Sequence, residues 1–277
     1  MGFACQDRFP GGQKINIQDL QRVGRKLPPA IPLVGAKLLR MSAIPGGLIR
    51  YAKDLRRYAR MSQEGTVSWT DLAPQVADAT GLSSYDAHYL PQDAWAAKKI
   101  AELGPASHVD VGSRVDFVAF MTSHCPVTFI DIRPLQAPVE GLSSIAGSVT
   151  ALPFKTGSVH SLSCLHVIEH VGLGRYGDAL DPDGSIRAVE ELCRVMEPGG
   201  QLLVSAPVGR ARTCFNAHRV LDPVQLTALF EGFDLQEFAA VDDDLQFSTY
   251  ADPADYRDSR YACGMYCFRA PGGEARR

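Results

Sequence analysis

The stretch HVIEHVGLGRYGDALDPDG, residues 166–184, gathers His166, Glu169, His170, Arg175, Tyr176 and three aspartates around four glycines. His166 and His170 stand four apart, a spacing used by zinc ligands on one helical turn. Near a strand end, a histidine that titrates around neutral pH instead suits a general base. His170 and His218 are the candidate bases, and Asp178 either orients one of them or takes the proton itself. Asp178, Asp181 and Asp183 can hold Mg²⁺, or they can supply the acids at the start of the helix SIRAVEEL. We read a helix start, and no metal is expected. Arg175, Tyr176, Asn216 and Arg219 suit a polar or phosphorylated acceptor. Two of these groups have plainer uses. Arg219 can pair with an aspartate of the 178–183 loop, and Glu169, which with His170 can orient the loop or polarise a substrate hydroxyl, can instead cap the turn that follows it.

Such groups need a scaffold, and the chain beyond residue 90 supplies one. DAWAAKKIAEL, VDFVAFMTSH, SIRAVEELCRVM and DPVQLTALFEG (with Asp222 as cap) read as helices. SHVDVG, PVTFIDI, SVHSLSCLHVI, GQLLVSAPV, FDLQEFAAV and YACGMYCFRA read as strands. The alternation implies an α/β fold with a doubly wound, mostly parallel sheet. Ligands of such sheets bind outside the carboxyl ends of the strands. Asp110 and Gly112 follow the first strand there. Asp131 ends the second strand, 21 residues after Asp110, where a carboxylate can accept both ribose hydroxyls. The pyrophosphate fingerprint G-x-G-x-x-G is missing, as is a Tyr-x-x-x-Lys pair. An adenosine without a diphosphate therefore fits better than a nicotinamide dinucleotide.

With 277 residues, 45% of them hydrophobic and 21% charged, the chain is one large domain or a domain with an extension. Residues 1–60 hold 12 Lys/Arg and 3 Asp, a balance of +9, which leaves −12 for the rest of a chain whose net charge is −3. GGLIRYAKDLRRYARM has helical spacing with basic residues on its outer faces. We divide the chain into a basic, partly helical N-terminal extension, 1–83, and a domain, 84–277. The extension either docks on its own acidic domain or makes peripheral contact with anionic membrane. Nucleic acid is not expected, because the domain that carries the chemistry is acidic. The seven cysteines are odd in number and scattered, as reduced thiols in the cytoplasm would be. No signal peptide is expected, and four prolines, Lys37 and Arg40 break the apolar stretch 27–49.

HVDVGS, FIDIRP, SVTALPFKTGSVHSLSCLHVIEHV and RVMEPGGQLLVSAPV, in that order, resemble the motifs of class I S-adenosylmethionine-dependent methyltransferases. More narrowly, FNAHR, GLGRYGD and YDAHYLPQDAWAAKKI resemble a methyltransferase-like family of unknown function, first named from nematode proteins and also found in bacteria with surface-polysaccharide enzymes. The resemblance covers about residues 84–245. It implies a seven-stranded Rossmann-like methyltransferase fold with S-adenosyl-L-methionine as cofactor. By the same resemblance, Asp110, Gly112 and Ser113 hold the methionine part, and Asp131 holds the ribose. Ile132, Ser148 and Val149 lie at the adenine, and Leu165 and His166 face the sulfonium. His88 and Tyr89 belong to a lid. The function it implies is methyl transfer to a hydroxyl of a sugar or glycan precursor, with a non-catalytic partner in glycan assembly as the alternative. Three positions depart from the motifs: Arg114 where a second glycine is usual, Ser148 where an acid is usual, and His160 where an aspartate is common.

Overall fold

The computed structural model describes residues 33–61 (side chains from 45), 68, 70, 72–76, 79, 83 and 85–272. Contacts divide the chain into two compact units, Met1–Ser84 and Tyr85–Arg277. In the first unit, helix α1 spans Leu33–Met61 and carries Pro45 inside it. The sequence reading began this helix at residue 46, so that start is corrected by more than three turns. LVGAKLLRMSAI is rich in strong helix formers, and one proline removes only one N–H donor. Leu48, Ile49, Tyr58 and Met61 are exposed on α1, as are Arg50, Lys53, Arg56, Arg57 and Arg60. No helix among the described residues is long and apolar enough to cross a membrane.

The elements of the second unit run α2 (Tyr89–Leu103), β1 (His108–Val111), α3 (Val115–Met121), β2 (Val127–Asp131), β3 (Leu142–Ala146) and β4 (Val159–Leu165). They continue with α4 (Gly184–Val195), β5 (Met196–Val208), β6 (Arg212–Cys214), β7 (His218–Val220), α5 (Pro223–Leu229), β8 (Asp234–Val241), β9 (Phe247–Ser248) and β10 (Ala262–Arg269). The main sheet has the order β3-β2-β1-β4-β5-β10-β8-β9. Strands β3, β2, β1, β4 and β5 are parallel; β10 runs antiparallel to β5 and β8, and β9 antiparallel to β8. The sheet therefore has eight strands rather than the expected seven, the extra one being the two-residue edge strand β9. A separate β6–β7 hairpin was also not foreseen. Strands this short carry too few residues for an alternation signal.

The central strands are buried on both faces, which is why they read as near-continuous apolar runs. Trp95 and Ile100 of α2, with Phe117 and Met121 of α3, cover one face against Phe129, Leu203 and Met265. Leu192 and Val195 of α4, with Leu226 of α5, cover the other against Leu162, Leu202 and Phe268. Asp222 caps α5 by accepting from Val224 N at 2.9 Å and Gln225 N at 3.0 Å, with Pro223 at the first helical position. A buried carboxylate fixes α2: Glu237 of β8 accepts from Trp95 Nε1 at 2.9 Å and lies 2.7 Å from Lys99 Nζ. Glu237→Ala strands the buried Trp95 Nε1, leaves Lys99 with Glu102 alone, and is expected to lower unfolding stability by about 1–3 kcal/mol. An unchanged midpoint in chemical denaturation would contradict that role.

Candidate functional site

A cavity of about 630 Å³, counted to its open mouth, lies outside the carboxyl ends of β1, β2 and β4. Gly112, Asp131, Ile132, Ser148, Val149 and His166 line one wall, and His170, Tyr176 and Asp178 reach it from the loop after β4. Gly112 turns there with φ +69°, and a Cβ would stand 3.2 Å from Val167 and 3.9 Å from Asp131 Oδ2. Only glycine takes this backbone without strain. Asp131 Oδ1 accepts from Arg133 N at 2.7 Å and lies 3.5 Å from Arg133 Nε. Its Oδ2 has no hydrogen-bond partner among the described residues. Ser148 turns its hydroxyl to Thr150 Oγ1, 2.8 Å away, and Val149 is buried beside it.

The structure places three of the anticipated cofactor residues behind this wall. Asp110 is fully buried; it accepts from Ser113 N at 3.0 Å and forms a short hydrogen bond from Ser163 Oγ. Burial pushes its carboxyl up to about 6 against those hydrogen bonds. Ser113 Oγ in turn accepts from Leu165 N at 3.1 Å, and the Leu165 side chain belongs to the core beneath α2. Asp110, Ser113 and Leu165 thus brace the turn at Gly112. Arg114 is also off the cavity wall. Its guanidinium meets Asp116 at 3.1 Å and sits 5.1 Å over the Tyr89 ring.

His166 occupies the left-handed region at φ 55°. Its Nδ1 donates to Gln92 Oε1 at 2.5 Å, and the same oxygen accepts from Ser205 Oγ at 2.5 Å. Nδ1 therefore carries the proton, and Nε2 keeps its lone pair. Burial pulls the imidazole down to about 3. Burial also pulls His170 down to about 4, against the Ala217 carbonyl, which accepts from Nδ1 at 2.7 Å. His88 and His218 are lowered too, by burial first. Tyr89 lies 5.0 Å from the His166 ring, and Tyr261 stacks 5.4 Å from His88 and lies 5.1 Å from His218. His88, Tyr89 and His218 thus share one aromatic cluster, although none of them lines the cavity.

The loop after β4 is organised from within. Asp178 accepts from Gly172 N at 2.8 Å, Gly174 N at 3.3 Å and Tyr176 N at 3.1 Å. Burial raises its carboxyl, but these N–H groups outweigh burial and hold it below its ordinary value. It makes no hydrogen bond to either candidate base. Asp181 pairs with Arg187, and Asp183 stands at the N-cap of α4 without a side-chain cap bond. DPDG is therefore the start of a helix. Arg219 is buried and donates to the carbonyls of Val171 at 2.6 Å, Asp181 at 3.2 Å and Pro182 at 3.2 Å, and to Ser185 Oγ at 3.1 Å. It pins the loop through the backbone, and not through an aspartate carboxylate. Asn216, at φ 61°, donates to Leu173 O at 3.4 Å. Tyr176 lies between Arg133, 4.4 Å over its ring, and Arg175 at 5.0 Å.

Glu169 caps nothing: it is fully buried, and neither carboxyl oxygen has a hydrogen-bond partner among the described residues. Burial pushes it up to about 8. A carboxyl raised above its ordinary range contributes stability below about pH 4.5, and that contribution is lost as pH rises to about 8. Glu169→Gln should therefore stabilise the chain more at pH 8 than at pH 5, by on the order of 2 kcal/mol. Denaturant titrations at both values check this, and a difference that does not grow with pH contradicts it.

Sequence reasoning did not single out Gln92, Ser205, Arg133 or Tyr261. Only Arg133 carried a signal, standing two residues past Asp131. Residues 150–255 match the family model described as Caenorhabditis protein of unknown function, DUF268. No curated protein matches the chain. Among solved structures, the [4+2]-cyclase SpnF is 15% identical with a TM-score of 0.51, over 71% of this chain and 86% of that one. The N-methyltransferase NodS from Bradyrhizobium japonicum, solved with S-adenosyl-l-homocysteine, is 14% identical with a TM-score of 0.47, over 79% and 97%. The 1,6-didemethyltoxoflavin-N1-methyltransferase from Burkholderia thailandensis is 17% identical with a TM-score of 0.44, over 89% and 93%. Residues 150–255 are thus similar to the nematode-named family, and the sheet around them has a Rossmann-like fold.

Proposed function

We propose that the chain is a methyltransferase that uses S-adenosylmethionine to methylate a hydroxyl of a sugar or glycan precursor. One observation carries this reading: a single cavity joins the Gly112 turn, the Asp131 carboxylate and the uncharged His166, and opens towards His170. The residues present fit the cofactor. Asp131 Oδ2 is free for a ribose hydroxyl, and Ile132 and Val149 give apolar faces for a purine. A neutral imidazole at 166 does not repel a sulfonium. When bound, S-adenosylmethionine supplies a methyl group on positively charged sulfur, which departs as a neutral thioether. His170, uncharged at neutral pH, takes the proton of the attacking hydroxyl, while Arg175 and Tyr176 orient the acceptor at the mouth. The alternative, a non-catalytic partner in glycan assembly, rests on Arg114 in the glycine turn, and that side chain stays off the cavity wall.

Calorimetry with S-adenosylhomocysteine tests the reading. Wild type and Arg114→Gly should bind alike, and Asp131→Ala should lose roughly tenfold or more in affinity. His170→Ala should keep that affinity and lose roughly a hundredfold in turnover. No heat at millimolar ligand from wild type and Arg114→Gly alike would refute the cofactor.

A separate observation supports a cytoplasmic protein that touches the inner face of the membrane. Exposed Arg50, Lys53, Arg56, Arg57 and Arg60 alternate on α1 with exposed Leu48, Ile49, Tyr58 and Met61. Co-sedimentation with vesicles of anionic phospholipid should drop severalfold when residues 1–60 are deleted. Unchanged sedimentation would remove the membrane from the account.

A further inference from the structure

Glu169 has no task in this reading, and its carboxyl has no hydrogen-bond partner among the described residues. Buried polar atoms without partners are rare and require an explanation such as a ligand or a catalytic use. The groups close enough to sense a charge on Glu169 come from four parts of the chain: Tyr89 of α2, Cys164 of β4, His170 and Arg175 of the following loop, and Tyr261 and Cys263 at the start of β10. Burial pushes the two thiols and both phenols up, Tyr89 to about 12, and pulls His170 down to about 4. Arg175 is then the only charged group facing the carboxyl among the described residues. Its Nη1 already donates to Ala217 O at 3.0 Å, and its guanidinium lies over Tyr176. Glu169 therefore has no dedicated counter-charge, and burial disfavours its ionised form.

We propose that Glu169 is the counter-charge of the cofactor's sulfonium: it stays protonated while no cation is present, and releases its proton to solvent when S-adenosylmethionine enters beside His166. The proposal rests on the cofactor reading above. Glu169 Oε1 lies 3.7 Å from His170 Nε2, and His170 and His166 both line the cavity, so the buried carboxyl stands directly behind the wall that the cation meets. In such surroundings a unit charge several ångströms away changes a titration far more than it does in water. S-adenosylhomocysteine lacks the methyl and its positive charge, so its binding leaves Glu169 protonated. The change reaches the base as well. Glu169 Oε1 lies 3.7 Å from His170 Nε2, and an ionised carboxylate there stabilises the imidazolium formed when the acceptor gives up its proton. His170 becomes an effective base only when a methyl group is present to be transferred.

Calorimetry of wild type with each ligand, in buffers of different ionisation enthalpy, counts the protons released. At pH 7.5, S-adenosylmethionine should release about half a proton more than S-adenosylhomocysteine, the difference expected when a nearby cation brings the carboxyl from about 8 to about 7. The ratio of the two affinities should rise severalfold between about pH 6.5 and 8.5. In Glu169→Gln both differences should vanish. Equal proton counts for the two ligands in wild type overturn the proposal and leave the cofactor reading in place. A difference that persists in Glu169→Gln assigns the proton to another group and also overturns it. If neither ligand binds, the cofactor reading fails, and the proposal fails with it.

Discussion

The site depends on one oxygen. Gln92 Oε1 accepts from His166 Nδ1 and from Ser205 Oγ, and so ties helix α2 to the ends of β4 and β5. His166 stands in a left-handed conformation that a side chain with a Cβ adopts at a cost of about 1 kcal/mol. Two donors converging on Gln92, together with the His166 N–H to Ser205 O at 3.0 Å, hold it there. This arrangement also fixes which ring nitrogen carries the proton. The buried imidazole stays neutral, and the chain can turn sharply away from the sheet into the loop that forms the cavity's other wall.

Charge is the second organising constraint. Four histidines, two tyrosines and a glutamate are packed around the cavity and its aromatic cluster, and burial disfavours the charged form of each. Such a cluster admits a cationic ligand without repulsion and makes an added positive charge felt at a distance. The loop 171–183 is fixed by a different means. Asp178 and Arg219 bond to its backbone N–H and carbonyl groups, so the glycines there shape a rigid rim.

The fold was largely legible because the central strands are buried on both faces and each is followed by a helix or turn signal, whereas the half-exposed edge strand β3 was not read. Strands of two or three residues, β6, β7 and β9, left no such pattern. The start of α1 was missed because Pro45 reads as a stop when a single helix can in fact contain it. In the site, Gly112, Asp131 and His166 were legible because a strand's last residues must face the ligand side of the sheet. Asp110 was not, since one residue earlier its side chain turns inward to Ser163. Arg219 was misread because its partners are backbone carbonyls, which a sequence does not display. Gln92 and Tyr261 come from distant elements, and only the packing of α2 and β10 brings them to the site.

The central claim is that the cavity receives an S-adenosyl ligand on Asp131 and beside His166. A crystal structure of the chain with S-adenosylhomocysteine tests it directly. The account requires the ribose hydroxyls on Asp131 Oδ2, the purine between Ile132 and Val149, and the sulfur next to His166. A cavity that stays empty at saturating ligand, or a ligand bound away from Gly112 and Asp131, would contradict it.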